Sequence, residues 1–529
     1  MLSLHKFPNG ETATPLAVIL AAGAGARLRS ARSPKPLVRL RGLSMAERSI
    51  AQLLTAGVER FVVVLGYDAA VVQKEFERVA RRRRCHISFV EAVKWEHGNG
   101  YSAAAAAPLV GDNPFLLTMV DHLLPPELIR LVLTDAPAQD EVALAVDHDI
   151  DHVFDLPDLT KVQVSGGRIE GIGKDLATWN AGDTGLFYCS SRLFEGLARA
   201  HRQGKFSLTD GILECVVQGG VRAIDVTGHC WLDVDTPEAF QEAGHRIDAT
   251  MGKGGADGFI SRYINRPLSR RLSVALSRTP LTPNHITLLS FSMGLLGAVG
   301  LATTDPWFWI AGGILIQIAS IVDGCDGEIA RIKLLQSPRG AWLDTVLDRY
   351  SDMAVGLAVT FAASQLHDAA WVWPAGFAAT ASFLMASYVT KEFQIQFQHP
   401  YPNNLVNKLK RRDLRILAIA VGAALGHPFV ALLAIGSVTQ LAVFQILVSG
   451  WHTTRALHPS QAPIAVTSRE RSPGQMPLGI SVSATGGHAS GAATVVSPAS
   501  GFLLGETDEP VEVVQTASKQ LSRGLPLIK

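Results

Sequence analysis

Four aspartates set the chemistry of one stretch, VDGCDGEIARIKLLQSPRGAWLDTVLDRYSD, from Val322 to Asp352, in which five aspartates and a glutamate lie between long apolar flanks. Asp323 and Asp326 are three residues apart and Asp344 and Asp348 four apart, so each pair shares one helix face. Pro338 and Gly340 break the helix between the pairs, which predicts a helical hairpin presenting four carboxylates to a common point. At a helix centre in lipid each acid costs roughly 2.5 to 3.5 kcal/mol, so four unpaired ones would oppose insertion by about 10 kcal/mol. Two divalent cations would neutralise the four charges and could hold a diphosphate. Solvated helix ends in the headgroup region meet part of that cost, but they do not explain the convergence, the glycines or Arg331.

A second set lies upstream. Leu20 to Leu37, LAAGAGARLRSARSPKPL, reads as a strand end (Leu20, Ala21, Ala22) and a Gly-rich turn, followed by Arg27 and then by Lys35 between two prolines. Gly23 and Gly25 let backbone amides approach a polyphosphate, and Arg27 and Lys35 can neutralise the charge that builds as pyrophosphate leaves. This string resembles the signature of the sugar-phosphate nucleotidyltransferases. By that resemblance Asp121, where the strand of LLTMVDHLL ends, and Asp235, before the Pro-initiated helix of WLDVDTPEAF, hold Mg²⁺, with Asp233 a close competitor for the second place. Gly98, Asn99 and Ser102 in EHGNGYSAAAA offer contacts to base or ribose, or form a plain turn and helix cap. Lys174 and Asp183 in IGKDLATWNAGDTGLF lie near the acceptor phosphate, unless Lys174 is simply a solvated lysine.

The elements that must position these groups fall into zones. A chain of 529 residues implies two or three units. From Leu16 to about Ala243 short β-rich runs (PLAVILAAG, RFVVVLGY, PFLLTMVDH, EVALAVDHD) alternate with helical stretches, the pattern of a wound α/β sheet. From Asp257 to Thr279, Phe259, Ile260, Ile264 and Leu268 interleave with Arg262, Arg266, Arg270 and Arg271, as in an amphipathic helix on a membrane surface. Six apolar runs follow, Ile286 to Ala302, Trp307 to Ile329, Trp342 to Ala363, Ala369 to Thr390, Leu414 to Leu425 and Phe429 to Trp451, and six spans are expected. The loops at Thr303 to Pro306, Ser364 to Asp368 and Gly426 to Pro428 lack Lys and Arg, whereas Arg262 to Arg278, Arg331 to Arg339 and Lys408 to Arg415 are basic. Both termini and the α/β domain are therefore expected in the cytoplasm of a multi-pass cell-membrane protein.

The expected boundaries are 14–248 for the α/β domain, 257–280 for the juxtamembrane helix, 281–455 for the membrane domain and 456–529 for a Ser/Ala/Gly/Pro-rich disordered tail. The start, MLSLHKFPNGETATP, lacks the features of a signal peptide. Five scattered cysteines fit reduced thiols. The formal charge of +1 provides no field for nucleic acid.

Asp323, Asp326, Gly327, Ala330, Arg331, Gly340, Asp344 and Asp348 match at every spacing the signature of the CDP-alcohol phosphotransferases. That resemblance implies a six-span helical domain in which Asp323, Asp326, Asp344 and Asp348 hold metal, Asp348 also takes the acceptor hydroxyl's proton, and the nucleotide lies against Gly327 and Arg331. A Rossmann-like nucleotidyltransferase domain followed by such a membrane domain joins the maker of a CDP-alcohol to its consumer. The order of domains, with WNAGDTGLF, WLDVDTPE and SRYINRPLSRRLSVALSRTPLTPNHIT, resembles the family that fuses inositol-1-phosphate cytidylyltransferase to di-myo-inositol phosphate phosphate synthase. The likeness implies CTP, inositol-1-phosphate and CDP-inositol as substrates, Mg²⁺ (or Mn²⁺) as cofactor and a homodimer through the membrane domain. Ala26, where Ser or Thr is common, and the tail depart from the pattern. The same two reactions on another phospho-alcohol or on a phospholipid are the alternative, and an inactive nucleotide-binding scaffold is the alternative of another class.

Overall fold

The computed structural model describes residues 15–25, 27, 33–138, 140–252, 258–397 and 404–457. From residue 458 onward the expected tail lies outside them.

In the first part nine strands form one sheet among the described residues: β1 (Leu16–Leu20), β2 (Arg60–Leu65), β3 (His86–Glu91), β4 (Phe115–Met119), β5 (Val142–Asp147), β6 (Lys161–Ser165), β7 (Arg168–Gly173), β8 (Ala181–Cys189) and β9 (Val221–Asp225). They lie side by side in the order β3-β2-β1-β4-β8-β5-β9-β7-β6. Strand β1 pairs in parallel with both β2 and β4, which sets Leu20 beside Val64 and Met119. Its residues are apolar throughout because both faces are covered. Ala17 and Ile19 join one core, while Leu16, Val18 and Leu20 join the other. This is the wound α/β domain expected. The C-terminal ends of β1 and β4 therefore open side by side, where a ligand site is favoured in such sheets. Helices α1 (Met45–Ala56) and α2 (Ala69–Arg83) pack on the sheet and on each other. All five cysteines are free thiols.

The second part is helical: α3 (Arg266–Ser277), entered through a π-helical turn (Ser261–Asn265), then α4 (Pro283–Leu301), α5 (Pro306–Ile332), α6 (Pro338–Leu366), α7 (Val372–Phe397), α8 (Arg412–Ala424) and α9 (Pro428–Leu457). Leu301, Ile316, Val359, Phe383, Ile419 and Leu432 form its core, while Leu296, Trp307, Phe377 and Phe444 face outward. Apolar side chains on both the inside and the outside mark a membrane protein. Among the described residues four helices are long and apolar enough to cross a bilayer: α4, α5, α7 and Pro428–His452 of α9. The count of six is not reached on that criterion, for two different reasons. Helix α6 has 29 residues, but its first half carries Arg339, Asp344, Asp348, Arg349 and Asp352. Helix α8 has 13 residues, about 20 Å of helix against a hydrocarbon core of about 30 Å.

Helix α3 and the turn before it expose Phe259, Tyr263, Leu268 and Leu272 interleaved with Arg262, Arg270 and Arg271, as expected, but bury Arg266, Ser269, Ser273 and Ser277. Arg266, expected on the membrane surface, instead donates to Glu328 at 2.7 Å, where Ser269 (2.8 Å) and Ser273 (2.7 Å) donate as well. A fully buried carboxylate needs such partners, which is why Arg266, Ser269 and Ser273 of α3 turn inward.

Candidate active sites

At the end of β1 the chain makes its Gly-rich turn. Gly25 is left-handed (φ +60°), and a Cβ there would lie 2.7 Å from Cβ of Lys35, so only glycine lets the two segments close. Lys35, held in a short helical turn opened by Pro34, is buried and donates to Asp121 Oδ2 at 2.6 Å. A cleft of about 450 Å³ gathers Leu20, Ala22, Gly23, Gly25, Arg27, Lys35, Gly98, Asn99, Ser102, Asp121 and Asp235. Thus eleven of the positions singled out in the sequence, far apart along the chain, meet on one cleft. Ala21 does not: its amide is spent on Val64 and its side chain packs in the core. Asn99 Oδ1 accepts the Leu208 amide (2.8 Å), and the Ser102 hydroxyl donates back to Gly98 O (3.4 Å), so both also serve the local fold.

A second compartment of about 500 Å³ shares Arg27, Asn99, His122 and Asp235 with the first and adds Lys174 and Asp183. Arg27 joins the two. It donates to Asp158 at 2.7 Å and contacts Asp235 at 2.5 Å, while Lys174 donates to the same Asp158. Asp158, which thereby holds two phosphate-binding candidates, carried no signal in the sequence.

Asp121, His122 and Asp233 each offer one ligand atom, all within 4.8 Å of one another. Asp233, the competitor of Asp235 for the second place, is thus within reach of Asp121, and its Oδ1 is buried without a hydrogen-bond partner. The two carboxylates of this set suit a hard divalent cation. Burial opposes charge on Asp121, but Lys35 and His122 outweigh it and hold its carboxyl well below the usual range. Burial likewise opposes charge on His122, yet Asp233, Asp121 and Asp183 raise it to about 9. Burial pushes Asp183 up to about 6.

In the helical part α5 and α6 are joined by a short turn as predicted, but each packs on α4, so the hairpin is closed through α4 and not by direct packing of its two arms. Asp323, Asp326 and Asp344 can each offer an oxygen within 4.8 Å of the others, again a donor set suited to divalent cations. The helix break lies at 333–337, closed by Ser337, whose hydroxyl accepts the Gly340 amide at 3.0 Å. Gly340 is therefore inside α6 and does not break it. Residues that spacing did not reveal complete the cluster. Thr287 donates to Asp326 (2.6 Å) and Ser290 to Asp323 (3.2 Å), both from α4. Arg412 of α8 reaches Asp323 (3.0 Å), Asp348 (2.8 Å) and Asp352 (3.2 Å), and Arg415 also holds Asp352 at 3.1 Å. The basic run Lys408 to Arg415 was visible in sequence, but only as a sign of topology. A Cβ at Gly327 would meet only the Arg331 guanidinium, at an ordinary contact distance of 3.5 Å. Arg331, expected at the nucleotide, donates to Met251 O at 2.6 Å in the segment after the first domain.

Residues 17–211 match the family described as MobA-like NTP transferase domain, and residues 280–449 match CDP-alcohol phosphatidyltransferase. A bifunctional IPC transferase and DIPP synthase of Rubrobacter xylanophilus is 37% identical over 423 residues, covering 80% of this chain and 93% of its own. Its namesake in Aquifex aeolicus is 34% identical over 445 residues, covering 82% and 98%. Among solved structures, the inositol-1-phosphate CTP transferase from T. maritima is 28% identical, with a TM-score of 0.39 over 44% of this chain and 96% of its own.

Proposed function

The chain belongs to the family of bifunctional IPC transferases and DIPP synthases, a nucleotidyltransferase joined to a CDP-alcohol phosphotransferase, and from that premise we propose the following division of labour. The first cleft converts CTP and inositol-1-phosphate to CDP-inositol and pyrophosphate. The helical hairpin then transfers the phospho-inositol of CDP-inositol to a second inositol phosphate, yielding a phosphorylated di-myo-inositol phosphate and CMP.

In the first reaction the amides around Gly23 and Gly25 receive the triphosphate, with Gly98, Asn99 and Ser102 beside base and ribose. The phosphate of the acceptor enters from the compartment of Lys174 and Asp183, and its oxygen attacks the α-phosphorus. Arg27 and Lys35 answer the charge that gathers as the bond to pyrophosphate breaks. Asp121 with Asp235, or with Asp233, would hold Mg²⁺. In the second reaction Asp348 takes the proton of the acceptor hydroxyl, whose oxygen attacks the phosphorus bearing inositol, and CMP departs. Gly327 leaves room for the nucleotide, and Asp323, Asp326 and Asp344 would hold metal. Bound Mg²⁺ or Mn²⁺ would supply neutralisation of the phosphates at both places.

The observation that carries this reading is the meeting of Asp323, Asp326 and Asp344 from two helices in a chain that also holds a Gly-rich phosphate cleft. Helices α6 and α8 complete six spans, with the carboxylates at the cytoplasmic mouth, the boundaries at 14–248, 257–280, 281–455 and 456–529, and a homodimer through the helical domain. The exposed apolar side chains of α3 support its place on the bilayer surface. Purified protein with CTP, Mg²⁺ and a panel of phospho-alcohols tests the reading. Pyrophosphate and then CMP should appear with inositol phosphate, and no pyrophosphate with that substrate sinks it.

A further inference from the structure

Helix α5, on which Asp323 and Asp326 stand, ends against the nucleotidyltransferase domain. The last carbonyls of a helix lack partners within it, and a left-handed glycine commonly closes the end. Here the left-handed residue is Leu334 (φ +51°), after which the Leu335 amide returns to Ala330 O at 2.8 Å. A leucine holds that conformation only when its surroundings impose it. Two arginines from the other domain supply them. Arg83 donates to Lys333 O (2.8 Å) and Leu334 O (3.0 Å), and Arg48 donates to Ile332 O (3.3 Å).

Both arginines are themselves fixed. Arg48 is buried and donates to Leu40 O at 2.8 Å. Arg83 lies on the buried carboxylate of Glu47 at 3.1 Å. Ser44 caps α1 and accepts the Glu47 amide, but the glutamate turns to α2 and its arginines instead of completing a capping box. Next to this contact Gly42 (φ +85°) touches α3 so closely that a Cβ would lie 1.9 Å from Ser277 O. The junction is thus built to close contact by backbone and side chains together.

We propose that Arg48 and Arg83 are positioning residues for the second reaction: the nucleotidyltransferase domain closes the C-terminus of α5 and thereby fixes the turns that carry Asp323 and Asp326. The inference rests on the assignment of those acids to phosphotransfer. Asp326 is six residues and Asp323 nine residues before Ile332, under two and about two and a half turns away, near enough for fraying to reach them. The first domain then supports the second reaction even when CDP-inositol is supplied ready-made.

The test uses the full chain in lipid nanodiscs and the variant Arg83→Met. Pyrophosphate release from CTP and CMP release from ready-made CDP-inositol are measured separately, with amide hydrogen exchange over Asp323 to Gln336. The expected result is exchange at least tenfold faster, CMP release at least fivefold slower, a Mg²⁺ half-saturation for that step at least threefold higher, and pyrophosphate release within twofold of wild type. Adding Leu334→Gly should recover at least half of the lost exchange protection, because glycine closes the helix unaided. Wild-type exchange in Arg83→Met, or faster exchange with unchanged CMP release, overturns the proposal. Should Arg83→Met lose both activities through misfolding, Arg83→Lys must show the same split between the two reactions; an equal loss in both overturns it. A wild type inert with inositol substrates, with exchange still dependent on Arg83, would overturn the substrate assignment and leave the helix cap standing.

Discussion

The guanidinium of Arg412 lies 2.8 Å from Asp348 Oδ1, bringing a cation from α8 to the carboxylate proposed as base on α6. The same nitrogen contacts Asp323 at 3.0 Å, so one arginine spans both arms of the hairpin. The two helices need this third element to set their acids.

Asp348→Asn keeps the shape and an oxygen beside Arg412 but removes the base. CMP release should fall by about 10²- to 10⁴-fold while CDP-inositol accumulates from CTP, which chromatography of the nucleotide pool would show. Unchanged CMP release would return Asp348 to a structural role.

Lys35→Ala should slow pyrophosphate release by about 10²- to 10³-fold, because it withdraws charge from the leaving group and frees Asp121 at once. CMP release from added CDP-inositol should stay at the wild-type rate. A parallel loss in both assays would point to misfolding.

Glu328 is fully buried under Arg266, Ser269 and Ser273. Glu328→Ala strands the Arg266 charge and should destabilise the helical domain by about 3 to 5 kcal/mol. Thermal unfolding in detergent reads this directly. Replacing Glu328 and Arg266 together with apolar residues of similar volume should recover much of the loss.

His122 predicts a pH dependence for the first domain. Its folded value of about 9 exceeds the unfolded 6.5, so its ion pairs contribute fully below pH 6.5 and are lost as pH rises through 9. The loss amounts to about 3 kcal/mol if the whole shift is expressed in stability. Urea denaturation of the full chain between pH 6.5 and 9.5 should show the decline, and His122→Gln should flatten it.

Chelation supplies a further check. EDTA should stop both half-reactions, and Mg²⁺ or Mn²⁺ should restore them; full activity under chelation would remove the metal assignment from Asp121 and from the Asp323 cluster.

Much of the architecture was legible because it depends on local periodicity. The apolar strand runs became β1, β2, β4 and β5, and the apolar stretches became helices at nearly the expected bounds. The six apolar runs do not all become long apolar helices, because a run reports side chains and not the length of unbroken helix. Leu414 to Leu425 lies in a helix of 13 residues, and the charged half of α6 excludes it on composition.

Asp323 with Asp326, and Asp344 with Asp348, could be read directly, since helical pitch alone places residues three or four apart on one face. The Gly-rich turn was equally plain, because Gly25 meets a local steric demand. Tertiary structure decided the rest: that Asp233 and His122 join Asp121, that Asp158 holds both Arg27 and Lys174, that Arg412 ties the hairpin, and that Arg48 and Arg83 close α5. Most of these partners come from elements far apart in the chain, and Asp121 and His122, though adjacent, are gathered with Asp233 only by the fold. Sequence spacing encodes geometry only within a single helix or turn; across elements the distance is set by how their buried faces pack.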